Sequence, residues 1–132
     1  MIFIDASVFI AYDNINDVHH TKAVELMQKI EENSFGDYFT SDYVFNEVVG
    51  VTNRKVGKER AIQLGSHILK TIFILHITNH LLKQTWIFFA KTKLNLSLVD
   101  CSTIILCENI RTEYIATFDK EFKNITGIKI VE

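Results

Sequence analysis

The sequence predicts an α/β fold, a three-layer α/β/α sandwich with a central, mostly parallel sheet. Short apolar runs alternate with longer segments whose apolar residues recur at helical spacing, which is typical of parallel sheets covered by helices. The first run, Ile2–Ile4, is apolar without alternation, as expected for a strand buried on both faces. Because 132 residues, 48% of them hydrophobic, are enough for one core, we predict a single domain over residues 1–132.

The five predicted strands are short apolar runs, each followed by a polar residue or a turn. They are expected at residues 2–4, 38–41, 72–77, 114–118 and 128–131. No glycine-rich or proline-rich linker divides them, since the chain has no proline and only five glycines. The strands are therefore expected to share one sheet.

The five predicted helices are amphipathic. They are expected at residues 17–33, from 41 or 42 onwards, at 58–71, at 78–93 and from 100 onwards. Asp17 is predicted to cap the first, Ser41 or Asp42 the second, and Asp100 begins the last. The residues expected to face the core are Val24, Met27, Ile30, Val44, Val48, Val51, Ala61, Leu64, Gly65, Ile68, Leu69, Leu81, Leu82, Thr85, Phe89, Thr92, Ile104 and Ile105.

The charge and the cysteines restrict the class of protein. A net charge of −2 argues against a protein that coats nucleic acid by charge alone. It does not exclude a nuclease, because the acids of a metal site offset basic residues elsewhere on the surface. Cys101 and Cys107 would lie about 240° apart around a helix and could not bond to each other, so two reduced thiols are expected. With no signal peptide and no apolar run long enough for a membrane span, we predict a cytoplasmic protein.

Four acidic residues fall where a parallel sheet brings side chains together. Asp5 follows the first predicted strand, Asp119 follows the fourth, Asp100 begins a helix, and Glu47 lies on a helix that faces the core. Ligands of parallel sheets bind at the carboxyl ends of the strands. Each acid also has a structural interpretation, Asp100 as a cap, Asp119 as a turn residue and Glu47 as a solvated helix residue. The hypothesis of a shared site rests on all four together.

The segments around these acids resemble a known family. They read Ile4-Asp5-Ala6-Ser7, Asn46-Glu47-Val48, Leu98-Val99-Asp100-Cys101-Ser102 and Ala116-Thr117-Phe118-Asp119-Lys120-Glu121-Phe122. In this order they resemble the PIN domain family, and within it the VapC-type toxins of toxin–antitoxin pairs. The similarity covers nearly the whole chain, including Asp17 to Ala23. The resemblance implies a parallel sheet between helices, Mg²⁺ or Mn²⁺ bound by the acids, cleavage of RNA phosphodiester bonds, and inhibition by a partner antitoxin.

Carboxylates that converge in one pocket repel each other unless they bind protons or cations. Ligation by oxygen alone suits Mg²⁺ or Mn²⁺ better than zinc. We predict that Asp5, Glu47 and Asp100 bind the metal directly or through water. Asp119 either completes this group or holds a second metal.

Further polar residues are candidates for supporting roles. Ser7, Ser102 and Thr117 are predicted to orient the carboxylates by hydrogen bonds, although Ser7 and Ser102 would also suit helix starts. The densest basic group is a candidate contact for the RNA backbone, or else a solvated helix end. It consists of Arg54, Lys55, Lys58 and Arg60.

The residues also bear on three alternatives to a nuclease. A phosphatase with an aspartate nucleophile would carry a second aspartate at position 7, which is Ser7, and a receiver-type signalling domain would have two adjacent acids early in the chain. A catalytically silent PIN-fold interaction or regulatory module stays open as the third alternative.

Two further features are interpreted without a catalytic role. The aromatic residues around Trp86 and Phe88 offer a surface for a homodimer. His20 is interpreted as a structural residue.

Overall fold

The computed structural model describes residues 1–132 and contains a five-stranded sheet in which every pair of neighbouring strands is parallel. The strands are β1 (Ile2–Ile4), β2 (Tyr38–Ser41), β3 (Phe73–Leu75), β4 (Tyr114–Ala116) and β5 (Lys129–Val131). Their order across the sheet is β3-β2-β1-β4-β5. The predicted strands are all present, and the sheet is parallel throughout.

Six helices cover this sheet. They are α1 (Ala6–Asp13), α2 (His20–Glu31), α3 (Asp42–Lys55), α4 (Lys58–Thr71), α5 (Asn79–Lys91) and α6 (Leu98–Asn109), and a 3₁₀ helix spans Lys120–Asn124. Helix α1 packs on α2 and α3, α3 packs on α4, and α5 packs on α6. Because crossovers between parallel strands are almost always right-handed, this strand order implies that α1–α4 cover one face and α5–α6 the other. The predicted three-layer sandwich is confirmed.

The core is built around the central strand β1. Ile2, Phe3 and Ile4 are fully buried because β1 has a neighbouring strand on each side and helices over each face. Phe3 packs edge-on against Phe39 of β2, and Phe122 of the 3₁₀ helix is also fully buried. This packing fixes the end of β1, and with it Asp5, in the middle of the carboxyl edge of the sheet.

Helix α1 has no counterpart in the prediction. Its sequence is apolar almost throughout, and Ala6, Val8, Phe9 and Ala11 are all buried, so it lacks the one-sided pattern of an amphipathic helix. The prediction that Asp17 caps the next helix is wrong. Its carboxylate accepts a hydrogen bond from the backbone N–H of His19 (2.8 Å) in the turn before α2.

Several residues predicted to face the core are exposed. Val24, Leu69, Leu82 and Phe89 lie on the solvent sides of their helices, with Leu69 61% exposed. On α5, Leu81 packs against the core and Thr85 is buried, as predicted, but Phe88, a residue predicted to belong to the exposed surface, also packs against the core. A helix rich in apolar residues has more than one apolar stripe, so spacing alone does not identify the buried one.

The two cysteines are buried and unbonded, as predicted. Burial raises the pKa of the Cys107 thiol to about 12, which keeps it protonated and unreactive at neutral pH. None of the helices has both the length and the apolarity that a bilayer crossing requires.

Candidate active site

The carboxyl edge of the sheet contains a topological switch point between β1 and β4. From β1 the chain builds outward to β2 and β3, and it then returns to add β4 and β5 on the other side of β1. In open parallel sheets such a switch point leaves a crevice beyond the carboxyl ends of the two strands. Asp5 follows β1 and Thr117 follows β4, so both border this crevice.

Asp5 is the most constrained acid of the site. It is only 5% exposed and caps α1. Its Oδ2 atom accepts hydrogen bonds from the Ser7 backbone N–H (3.3 Å), the Ser7 hydroxyl (2.7 Å) and the Thr117 hydroxyl (2.8 Å). All of these bonds fall on one oxygen, which leaves Oδ1 available to a ligand.

Ser7 and Thr117 join the ends of β1 and β4. Their hydroxyl oxygens are 3.2 Å apart, Ser7 Oγ accepts from the backbone N–H of Phe118 (3.0 Å), and Thr117 Oγ1 accepts from that of Asp119 (3.1 Å). A single network therefore runs from Asp5 to the backbone of Asp119. Ser102 does not take part, contrary to the prediction, because its hydroxyl donates to the Val99 carbonyl (2.6 Å) within α6.

Asp100 lies in the first turn of α6, which begins two residues earlier than predicted. Ser97 is the N-cap and accepts from the Asp100 N–H (3.1 Å), while Asp100 Oδ2 accepts from the Ser97 N–H (2.8 Å), a reciprocal capping box. Burial raises the pKa of the Asp100 carboxyl, the bonds to Ser97 lower it, and the charges of Asp5 and Asp119 raise it. The cap fixes one oxygen and leaves the other free.

Glu47 lies in the second turn of α3 and is half-buried. Burial raises the pKa of its carboxyl most, and the negative charges of Asp5, Asp100 and Asp119 raise it further. Asp119 caps the 3₁₀ helix, and its Oδ1 accepts from the Glu121 N–H (2.9 Å). The structure therefore brings the four acids into one region, where they act on each other through their charges.

The chemistry of this donor set fits a hard divalent cation. Each aspartate has one oxygen fixed by hydrogen bonds to the protein and one without such bonds, and Glu47 adds a carboxylate whose charge is opposed by its neighbours. No three His, Cys, Asp or Glu side chains are already arranged to hold a metal ion. Burial is the main cause of the raised pKa values of Glu47 and Asp100, and a cation would favour their charged forms and offset the added repulsion from the neighbouring acids.

The four basic candidates differ in what they contact. Arg54, Lys55 and Lys58 are exposed, whereas Arg60 is bound in an ion pair with Asp13 at the end of α1, which makes it a poor candidate for RNA. Arg54 lies seven residues after Glu47, which places both on the same face of α3, about 10 Å apart along its axis. The guanidinium folds back over Gly50, with Nη1 3.4 Å from the position that a Cβ would occupy there.

Two neighbouring histidines stand at the start of α2. His20 has the structural role predicted for it, since Nδ1 is 2.8 Å from the carbonyl oxygen of Ala11. His19 stacks on Phe118, with ring centroids 4.7 Å apart and an interplanar angle of 4°. No pattern in the sequence indicates this contact, because the two residues are far apart in the chain.

This fold and this site define a class of protein, a parallel α/β domain with an acidic crevice at its switch point. The family model of the PIN domain matches residues 2–128, and the chain belongs to that family. No curated protein sequence matches the chain significantly.

Solved structures share the fold over almost the whole chain. The VapC20 toxin of Mycobacterium tuberculosis, described as cleaving the sarcin–ricin loop, is 23% identical, with a TM-score of 0.87 and 98% of each chain covered. The DNA-bound VapBC of Salmonella typhimurium is 15% identical, with a TM-score of 0.73 over 98% of this chain and 96% of that one. VapBC2 of Rickettsia felis, bound to a promoter DNA fragment, is 15% identical, with a TM-score of 0.65 over 99% and 98%.

Proposed function

We propose that this protein is an Mg²⁺- or Mn²⁺-dependent endoribonuclease, and that residues 1–132 form one nuclease domain. The observation that carries the proposal is the meeting of Asp5, Glu47, Asp100 and Asp119 at the switch point of a PIN domain. Glu47, Asp100 and Asp119 are partly exposed to solvent there, and carboxylate oxygens are the donors that these cations prefer. RNA, whose backbone repels bare carboxylates, would bind there together with cations.

The residues divide into ligands and groups that orient them. Asp5, Glu47 and Asp100 are the principal ligands, directly or through water, and Asp119 completes them or holds a second ion. Ser7 and Thr117 hold Asp5 through its Oδ2 atom and so aim the other oxygen into the crevice. The bound metal would supply an activated water and neutralise charge on the phosphate during cleavage.

The setting of this activity is inferred from the relatives. Because the similar structures include a sarcin–ricin loop cleaving toxin and VapBC complexes, we infer a toxin of a toxin–antitoxin pair with a ribosomal RNA loop as the first substrate to test. Its other partner would be a cognate antitoxin protein. A cytoplasmic location agrees with an RNA target and with two free thiols.

The decisive experiment is RNA cleavage with and without metal. The purified protein is expected to cut a sarcin–ricin-type RNA stem–loop in the presence of Mg²⁺ or Mn²⁺, and EDTA is expected to stop the reaction completely. Product length is followed on a denaturing gel. Folded protein that cuts neither this RNA nor total cellular RNA with any divalent ion would contradict the proposal and favour the silent interaction module.

Arg54 is the basic residue expected to contact an RNA phosphate. Its guanidinium has no ion-pair partner and lies back along α3 towards Glu47, whereas Arg60 is held by Asp13. Arg54→Ala is expected to weaken RNA binding about tenfold, the effect of one charge-assisted hydrogen bond, and to reduce the salt dependence of binding by about one counterion.

Arg60→Ala is the matched control for this prediction, and it is expected to change RNA affinity less than twofold. Both variants are measured by fluorescence anisotropy over a range of salt concentrations. Equal effects of the two substitutions would show that Arg54 has no special contact.

A further inference from the structure

A second polar pair lies on the carboxyl edge of the sheet, outside the acidic crevice. Ser41 and Leu75 are register partners at the ends of β2 and β3, so the residues that follow the two strands, Asp42 and His76, emerge side by side. Asp42 Oδ2 lies 3.1 Å from His76 Nδ1. The imidazole is 80% exposed, and its Nε2 atom makes no bond to the protein.

The carboxylate of Asp42 is held in place by the backbone. Its Oδ1 atom accepts from the N–H groups of Ile77 (3.0 Å) and Tyr43 (3.0 Å), which ties the end of β3 to the start of α3. Helix α3 does not depend on Asp42 for its cap, since the Ser41 hydroxyl accepts from the Val44 N–H (3.2 Å). The orientation of the Oδ2 atom, and of the imidazole bound to it, is therefore set by the fold.

This fixed carboxylate determines the chemistry of the exposed ring. An ionised carboxylate only accepts hydrogen bonds, so His76 Nδ1 carries the proton. The Nε2 atom then accepts a hydrogen bond when the ring is neutral and donates one when it is charged. An exposed ion pair contributes little to stability, so stability does not account for a histidine oriented in this way.

The pair lies along the edge that the substrate would follow. Neighbouring strands are about 4.8 Å apart, so β3 is about 10 Å from β1 and from Asp5. This distance is on the scale of one or two nucleotides of an extended strand. Glu47, whose carboxyl interacts with the other acids of the crevice, is on the same helix as Asp42, five residues or about 7.5 Å further along its axis.

We propose that His76, oriented by Asp42, hydrogen-bonds to the sugar–phosphate backbone of the RNA strand, one or two nucleotides from the phosphate at the acidic crevice. The partner is a ribose 2′-hydroxyl for a neutral ring or a phosphate oxygen for a charged one. His76 is then a positioning residue, which holds the strand in register and takes no part in bond cleavage. This inference rests on the proposed ribonuclease function.

The test measures binding separately from cleavage. Asp5→Asn is introduced into every chain so that the RNA stays intact, and a fluorescein-labelled sarcin–ricin-type stem–loop is titrated in Mn²⁺. Adding His76→Ala is expected to weaken binding three- to tenfold, the effect of one hydrogen bond. The matched control His67→Ala, which removes an exposed histidine of α4, is expected to change affinity less than twofold.

Further measurements distinguish a direct contact between His76 and RNA from an effect of His76 on the protein structure. In the active chain, His76→Ala is expected to raise KM by a similar factor and leave kcat within twofold. The RNA is also made with 2′-deoxynucleotides beside the cleaved bond. If the partner of His76 is a 2′-hydroxyl, this RNA binds the parent chain and its His76→Ala variant with equal affinity. If the partner is a phosphate, the difference in affinity between the two chains is preserved. The ring ¹⁵N shifts of His76 are expected to lose their preference for Nδ1–H in Asp42→Asn.

The outcomes distinguish the two proposals. Equal RNA affinities of the His76→Ala and His67→Ala chains would overturn the proposed contact between His76 and RNA. Unchanged ¹⁵N shifts of His76 in the Asp42→Asn chain would overturn the proposed role of Asp42 in orienting the ring. Cleavage by the wild-type chain in that case leaves the ribonuclease proposal intact. RNA that binds through His76 but is never cut would overturn the ribonuclease function alone, and absence of RNA binding would overturn both.

Discussion

Asp5→Asn is expected to lower kcat for RNA cleavage by about 10²–10³-fold, the range seen when one preorganised electrostatic group is removed from an active site. The substitution removes a negative charge from the most constrained position of the acidic crevice. It keeps the shape of the side chain, and asparagine caps helices as well as aspartate does, so α1 is expected to keep its N-cap. The change therefore tests the charge of Asp5 and leaves the fold intact.

The control is Asp37→Asn, which neutralises an exposed aspartate just before β2, at the opposite edge of the sheet. It is expected to retain activity within twofold. Single-turnover cleavage of labelled RNA gives the rate, and thermal unfolding verifies that both variants are folded. A folded Asp5→Asn protein with wild-type activity would rule out Asp5 as a metal ligand.

The strands were predictable because their signal is local. Ile2–Ile4 is apolar at every position, and a strand covered on both faces is one of the few elements with such a short, continuous apolar run. Once the strands were assigned, the order of helices between them made a parallel sheet the expected arrangement. The carboxyl edge, and with it the location of Asp5 and Asp119, followed from that arrangement.

Helix α1 could not be predicted from the local sequence pattern. Its residues are buried because α2 and α3 pack around it, and a helix covered on several sides has no polar face to reveal its period. The opposite error occurs at Leu69, an apolar residue at helical spacing that the rest of the fold leaves uncovered. In both cases burial depends on which elements meet in space.

The sequence predicted the meeting of the four acids, and only in part the groups that hold them. Asp5, Asp100 and Asp119 stand at the ends of elements, where a parallel sheet concentrates side chains. Thr117 follows β4 in the same way, and the structure places its hydroxyl on Asp5. The capping bond from Ser97 to Asp100 and the stack of His19 on Phe118 depend on the exact start of a helix and on a long-range contact, neither of which spacing specifies.

Thr117→Val is expected to reduce metal affinity and kcat by about 10- to 100-fold, the usual effect of removing a group that orients a metal ligand. The Thr117 hydroxyl donates to Asp5 Oδ2 and accepts from the Asp119 N–H, so it links two of the proposed ligands. Valine has the same shape without the hydroxyl. It would leave the Asp119 N–H unpaired, at a cost to stability of about 1–3 kcal/mol.

Thr103→Val provides a matched control, because Thr103 is also fully buried but its hydroxyl has no hydrogen-bond partner. The same change there is expected to leave activity unaltered and stability equal or higher, since it removes an unpaired buried polar group. Thr117→Ser, which retains a hydroxyl, is expected to recover most of the activity. Mn²⁺ affinity is measured by thermal shift, in which a bound ion raises the unfolding temperature by mass action. If Thr117→Val and Thr103→Val keep the same activity and the same Mn²⁺ shift, the network around Asp5 stabilises the fold and does not orient a ligand.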